Sequence, residues 1–178
     1  MIRQQLVYLN QKKITLVSEE RDSIIGFYQS YYKLLNYIMN FSIDTISEKD
    51  SLEFIRVKST INTLQMELDC SLGRLELFYN SIEFINSVEE LLVKTINLKE
   101  ILLIYLINYG LEAESLNILK QSPHLKDYEE NIQTRSKAKF ELSKHFIDDR
   151  LEAYKEIINN IIQVRDILKN RIYVILTE

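Results

Sequence analysis

The sequence predicts an all-α protein: a bundle of four or five helices, with long antiparallel, coiled-coil-like helices packed along their lengths. Three observations carry this reading. The 178 residues include only three glycines (Gly26, Gly73, Gly110) and one proline (Pro123), too few for the many tight turns of a sandwich or barrel. Apolar residues recur in alternating steps of three and four, the period of one helix face. Serine or threonine followed three residues later by glutamate marks helix starts.

The first segment, residues 2–17, has two readings. Leu6-Val7-Tyr8-Leu9 and Ile14-Thr15-Leu16-Val17 flank Asn10-Gln11-Lys12-Lys13 in the manner of a hairpin. A helix instead places Ile2, Leu6, Leu9 and Leu16 on one stripe, and it is preferred because a lone hairpin is marginal in water. A helix is expected from Ser18, a capping residue followed by Glu19, Glu20 and Asp22, whose charges suit a helix N-terminus. Its seam runs Ile24, Phe27, Tyr31, Leu34, Ile38, Phe41. Gly26 within it costs about 1 kcal/mol relative to alanine, which suggests a close helix crossing.

The second helix is expected to start near Thr45–Ser47, where Thr45 and Glu48 have capping-box spacing. Its seam is Phe54, Val57, Ile61, Leu64, Leu68, Ser71, Leu75, Phe78, and the small residues Cys70, Ser71 and Gly73 suggest another close crossing. Ser87 and Glu90 place the start of a third helix after a break at 80–86. It is apolar on two faces (Val88, Leu92, Ile96, Leu103, Leu106; and Leu91, Leu98, Leu102, Tyr105), as befits either a central helix or an oligomer interface. Gly110 is expected to end it, with a short helix over 111–121. Ser122-Pro123 then reads as cap and first residue of a last helix. The stripe of that helix is Leu125, Tyr128, Ile132, Ser136, Phe140, Ser143, Ile147, Leu151, Tyr154, Ile158, Ile161, Leu168, Ile172, Ile175. Unbroken, its ~50 residues make a rod of about 75 Å, which must either kink near Asp148-Asp149 or project. The whole chain, 1–178, reads as one helical domain, with 1–17 its segment of uncertain structure.

Composition narrows the function. With 46% hydrophobic and 27% charged residues the chain is globular in balance, and its net charge of −4 argues against nonspecific nucleic-acid binding, which needs a clustered positive field. The densest basic segment (Arg135, Lys137, Lys139, Lys144) is interleaved with Glu130, Glu141 and Asp148 and reads as a solvated face. The single cysteine, Cys70, reads as core packing. The opening Met1-Ile2-Arg3-Gln4-Gln5 lacks a secretory pattern, and the longest apolar run, Ile101–Ile107, falls far short of the ~20 residues that span a bilayer. A cytoplasmic protein that does not bind membranes is the expectation.

Catalytic and metal chemistry find little support. Di-metal bundles use Glu-x-x-His, whereas His145 follows Glu141 by four residues and His124 sits at a helix start. Arg135 and His145 are too far apart for the Arg–His pair of some helical ribonucleases. There is no glycine-rich phosphate loop, and Glu67, Asp69, Glu76, Glu89 and Glu90 read as solvated faces. No metal or cofactor is implied. Tyrosine stands out, with eleven copies and no tryptophan. Tyr28, Tyr32 and Tyr37 lie off the first seam, and tyrosine's apolar body with a polar tip is enriched at interfaces. The expected function is therefore a non-enzymatic interaction module (adaptor, inhibitor or regulator). It would bury helix against helix on a protein partner anchored at Tyr28, Tyr32 and Tyr37, with a homodimer as one form. The alternative is a bundle enclosing a small apolar ligand, with Tyr105, Tyr109 and Tyr154 as polar contacts. A third reading, an enzyme with an unfamiliar site, would centre on His145.

Overall fold

The computed structural model describes residues 2–45, 52–79, 81–124 and 126–177. Four α-helices account for nearly all of them: α1 (Ile2–Asn40), α2 (Leu52–Glu76), α3 (Ile82–Lys120) and α4 (Tyr128–Thr177), with a 3-10 turn at Ile43–Thr45 between α1 and α2. The described residues contain no strand, so the chain is all-α.

Residues 2–17 are helical and continuous with the rest of α1. Ser18 therefore caps nothing. Once the core fixes residues 18–40, extending the helix through a stretch without glycine or proline is easier than starting a new one. The start of α3 also differs from expectation. Ser81 is its N-cap, its hydroxyl accepting from the Phe84 amide at 3.2 Å. Ser87 is buried one turn inside and donates to the Glu83 carbonyl at 2.8 Å. Gly110 has no left-handed backbone, so α3 passes through it to Lys120 and no separate helix forms over 111–121. Pro123 lies in the connecting turn, and α4 begins only after Asp127, whose φ is 61°. The expected close crossings at Gly26 and Gly73 are absent: a Cβ at either would meet nothing within 4 Å. Thr45 ends the 3-10 turn, its hydroxyl donating to the Ser42 carbonyl at 2.7 Å. Ser47, Glu48 and Leu125 lie outside the described residues, as do the side chains of Ile2, Leu6 and Ile175.

Pairs across helices set their directions. Lys94 bonds Asn160 and Tyr105 bonds Asp149, so α3 and α4 are antiparallel. Arg171 clamps Glu20 while Arg150 reaches the Ile38 and Phe41 carbonyls, so α1 and α4 are antiparallel too. Tyr31 meets Thr95 and Asp44 meets Tyr109, which makes α1 and α3 parallel. With Tyr31 level with Thr95, Ile82 lies level with Ser18, and the 3-10 turn lies level with Tyr109. The molecule is therefore a four-helix core with an overhang at each end. One is an arm, residues 2–17 of α1. The other is a tip, where α3 beyond Gly110 continues with the first turns of α4. All fifty residues of α4 run unbroken through Asp148-Asp149, flanked by α3 for much of that length.

The core follows the first two seams. Ile24, Phe27, Tyr31, Leu34 and Ile38 from α1 meet Val57, Ile61, Leu68 and Leu75 from α2 and the inner face of α3 from Phe84 to Leu116. Two of its polar contacts join separate helices. Thr95 donates to the Leu91 carbonyl at 2.8 Å, so the Tyr31 hydroxyl, 3.3 Å away, is the donor to Thr95. Buried Glu20 accepts both prongs of Arg171 at 2.7 and 3.2 Å.

In α4 the buried face is rotated from the expected stripe. Ser143 and Leu168 of that stripe are buried as expected, but so are Phe146, Ile157, Asn160 and Val164, which lie off it, with Arg150 and Ala153 half-buried between them. Tyr154, Ile161 and Ile172 pack at the edge of the core as expected. Phe140, Ile147, Leu151 and Ile158 are exposed, and so is Ser136. Two polar side chains lie on the inward face. Arg150 caps the end of α1 and stacks over Phe146, its guanidinium 4.6 Å from the ring centroid. Asn160 takes a hydrogen bond from Lys94 at 2.7 Å. Both are polar letters that a hydrophobic pattern assigns to the outside.

Candidate protein-interaction site

Of the three tyrosines expected to anchor a partner, Tyr28 and Tyr32 are brought together and Tyr37 is not. One helical turn apart on α1, the first two rings stack at 6.2 Å with planes 18° apart. Tyr32 is exposed, while Tyr28 leans toward α4, near Arg165 and Asp166. The Tyr28 hydroxyl is buried without a hydrogen-bond partner, and burial pushes its pKa well above the ordinary tyrosine value. Tyr37 turns to the other flank, toward Thr60 and Glu53 of α2, and its ring lies 6.1 Å from Phe41.

The tyrosines of the alternative reading sit in or beside the core and do not converge. Tyr105 donates to Asp149 at 2.5 Å, and burial, aided by that carboxylate, pushes its pKa up to about 12. Tyr109 is buried and donates to Asp44 at 3.1 Å under the ammonium of Lys139, which is 4.7 Å from its ring. Tyr154 packs against the core on the side of Tyr31.

The residues displaced from the core make the main surface feature. Phe140, Ile147, Leu151, Ile158 and Ile162 are exposed. At 100° per residue they fall within an arc of about 60° along roughly 33 Å of α4. They form a ridge on the flank that faces away from α3. Given the Arg171–Glu20 pair, Tyr32 is level with Asn159, between Ile158 and Ile162, so the tyrosine pair widens the ridge at that height. Exposed Lys137, Lys144, Lys155 and Lys169 border it. Sequence patterning assigned four of the five, Phe140, Ile147, Leu151 and Ile158, to the core face and did not pick out Ile162.

A second apolar face runs down the back of α3, opposite the side that meets the core: Val93, Ile96, Ile104, Ile107, Leu111 and Ile118 are all exposed. Both faces expected of the third helix are turned to the core, apart from exposed Ile96, and the open face is a further stripe that the sequence reading missed. Glu89, Glu100 and Glu114 share the open face, and no lysine or arginine does.

Other candidates are dispersed. His124, His145 and Cys70 are exposed, so Cys70 is not packed in the core. No group of three or more His, Cys, Asp or Glu side chains among the described residues is placed to hold a metal. The basic segment is split: Arg135 pairs with Glu112 at 2.9 Å, and Lys139 covers Tyr109. No described helix is long and apolar enough to cross a membrane. Comparison of the chain with protein-family models, with curated proteins and with solved structures finds no match in any of the three.

Proposed function

We propose that the chain is a non-enzymatic interaction module that binds an amphipathic helix of a protein partner along the α4 ridge, with Tyr28 and Tyr32 at one end of the contact. The observation that supports it is the ridge itself: five large apolar side chains aligned at helical spacing on a face no other helix covers. Contiguous apolar surface of this kind marks interaction sites in soluble proteins. A partner helix adds knobs from its own i, i+3, i+4 and i+7 positions. The bordering lysines favour acidic residues beside that stripe, which speeds encounter and selects partners more than it adds affinity.

The test is selection of displayed helical peptides against the chain, followed by binding to Leu151→Asp/Ile158→Asp. Both positions are exposed, so the fold should survive. Selected peptides should carry a heptad apolar stripe with acidic flanks, and their affinity should fall at least tenfold on the variant. Peptides that bind the variant as tightly as the original chain would overturn the reading.

A further inference from the structure

The α1 arm is a helix that its own bundle does not support. Every side chain described between Gln5 and Leu16 is exposed, including Val7, Tyr8, Leu9, Ile14 and Leu16. With nothing packed on it, this stretch is held only by propagation from the packed part of α1. The arm is also the basic part of an acidic chain: residues 2–17 contain Arg3, Lys12 and Lys13 and no aspartate or glutamate. The back of α3 is its counterpart, apolar with glutamates, of which Glu100 is paired with Lys99 from the flank.

Spacing fixes how the two fit. On the arm, Leu9, Lys13 and Leu16 share one stripe in steps of four and three. On the back of α3, Ile118, Glu114 and Leu111 do the same when read backwards. Laid antiparallel, Leu9 opposes Ile118, Lys13 opposes Glu114, and Leu16 opposes Leu111. A parallel arrangement pairs like positions of the two seams, and Lys13 then never faces a glutamate. The other antiparallel match, Lys13 on Glu100, sets Leu16 against Asn97, and Glu100 already has Lys99 at 3.8 Å.

An independent measure agrees. Tyr31 and Thr95 are level in one molecule. Leu9 is 22 residues below that level on α1 and Ile118 is 23 residues above it on α3. A twofold axis relating them passes at the height of Tyr31, midway along the core from Ser18 to Thr45. The same operation sets core level with core and each arm level with the other molecule's tip, where α3 beyond Gly110 has lost α1 as a neighbour. We propose that two copies of this chain pair antiparallel about such an axis, the α1 arm of each lying along the back of α3 at the tip of the other.

Mass in solution across a dilution series tests this, comparing the native chain with Lys12→Glu/Lys13→Glu, with Lys13→Glu, and with Lys13→Glu/Glu114→Lys. The native chain should be a dimer at micromolar concentration, and the double charge reversal should weaken it at least tenfold. Glu114→Lys should restore most of what Lys13→Glu loses. On dilution the released arm should melt, removing about a tenth of the helical circular dichroism. A native chain that stays monomeric throughout overturns the proposal, and so does a dimer indifferent to Lys13→Glu. Arm-dependent binding to vesicles containing phosphatidylserine by a chain that stays monomeric assigns the arm to a membrane surface instead, and also overturns it. The α4 ridge is untouched by these substitutions, so peptide binding there stands or falls separately.

Discussion

Two phenylalanines six residues apart on α4 should respond very differently to the same substitution. Phe146 is 1% exposed, packed against Tyr105 with ring centroids 5.6 Å apart and covered by Arg150; Phe140 is 70% exposed. A buried phenylalanine removes roughly 200 Å² from water, worth about 5 kcal/mol at ~25 cal/mol per Å². Alanine keeps part of that and leaves a cavity, so Phe146→Ala should cost about 4 kcal/mol, within the range of such core truncations. Phe140→Ala forfeits only the buried third of its side chain and should cost about 1 kcal/mol or less. For a chain of this length that is a Tm drop of roughly 8–16 °C against one of a few degrees. Urea unfolding followed at 222 nm, at one fixed protein concentration, separates the two, and an unchanged m-value shows that stability alone moved. Equal losses, or a larger one for Phe140→Ala, would mean that α4 faces the core with the stripe its hydrophobic pattern implies. The ridge would then not exist.

The Glu20–Arg171 clamp predicts an asymmetry between its halves. Arg171→Ala leaves a buried carboxylate without its cation and should destabilise by roughly 2–3 kcal/mol, whereas Glu20→Ala leaves an arginine that is 43% exposed and should cost distinctly less; denaturant midpoints of the two variants decide it, and the reverse order would refute it. At alkaline pH, burial raises the pKa of Tyr28, Tyr31, Tyr37 and Tyr79 and, with Asp149 adding to it, of Tyr105 to about 12. A raised folded-state pKa means stability that is complete below the unfolded value near 10 and is lost as pH rises through the folded values. Absorbance at 295 nm should therefore show tyrosine ionisation in the native chain lagging behind that in urea from pH 10 upward; coincident titrations would show that these hydroxyls are not buried.

The fold class was legible because glycine and proline are scarce and the seams of α1 and α2 are clean. Ile24 to Ile38 and Val57 to Leu75 are buried where the spacing puts them. Helix ends were less legible. Ser18, Ser87 and Gly110 all have the chemistry of ends, yet each lies inside a helix: buried residues on both sides hold α3 through Ser87 and Gly110, while α1 propagates through Ser18 from its packed part. The candidate surface was half legible. The pattern picked out Phe140, Ile147, Leu151 and Ile158 as one stripe, but which of two apolar stripes faces inward depends on Arg150 and Asn160, whose partners are over sixty residues away in sequence. The split of Tyr37 from Tyr28 and Tyr32 has the same origin: flanks of a helix become distinct only once its neighbours are placed.

The Arg150 cap on α1 also bears on the order of assembly. The helices should pair first as sequence neighbours, α1 with α2 and α3 with α4, through short connections whose closure is entropically cheap. What joins the halves spans far more chain: Arg150 to the Phe41 carbonyl bridges 109 residues, and Arg171 to Glu20 bridges 151. Contacts that distant slow folding because the loop must close before they contribute. Two helical hairpins should thus form early and dock late, with Arg150 sealing the exposed carbonyls at the end of α1 as the slow step completes.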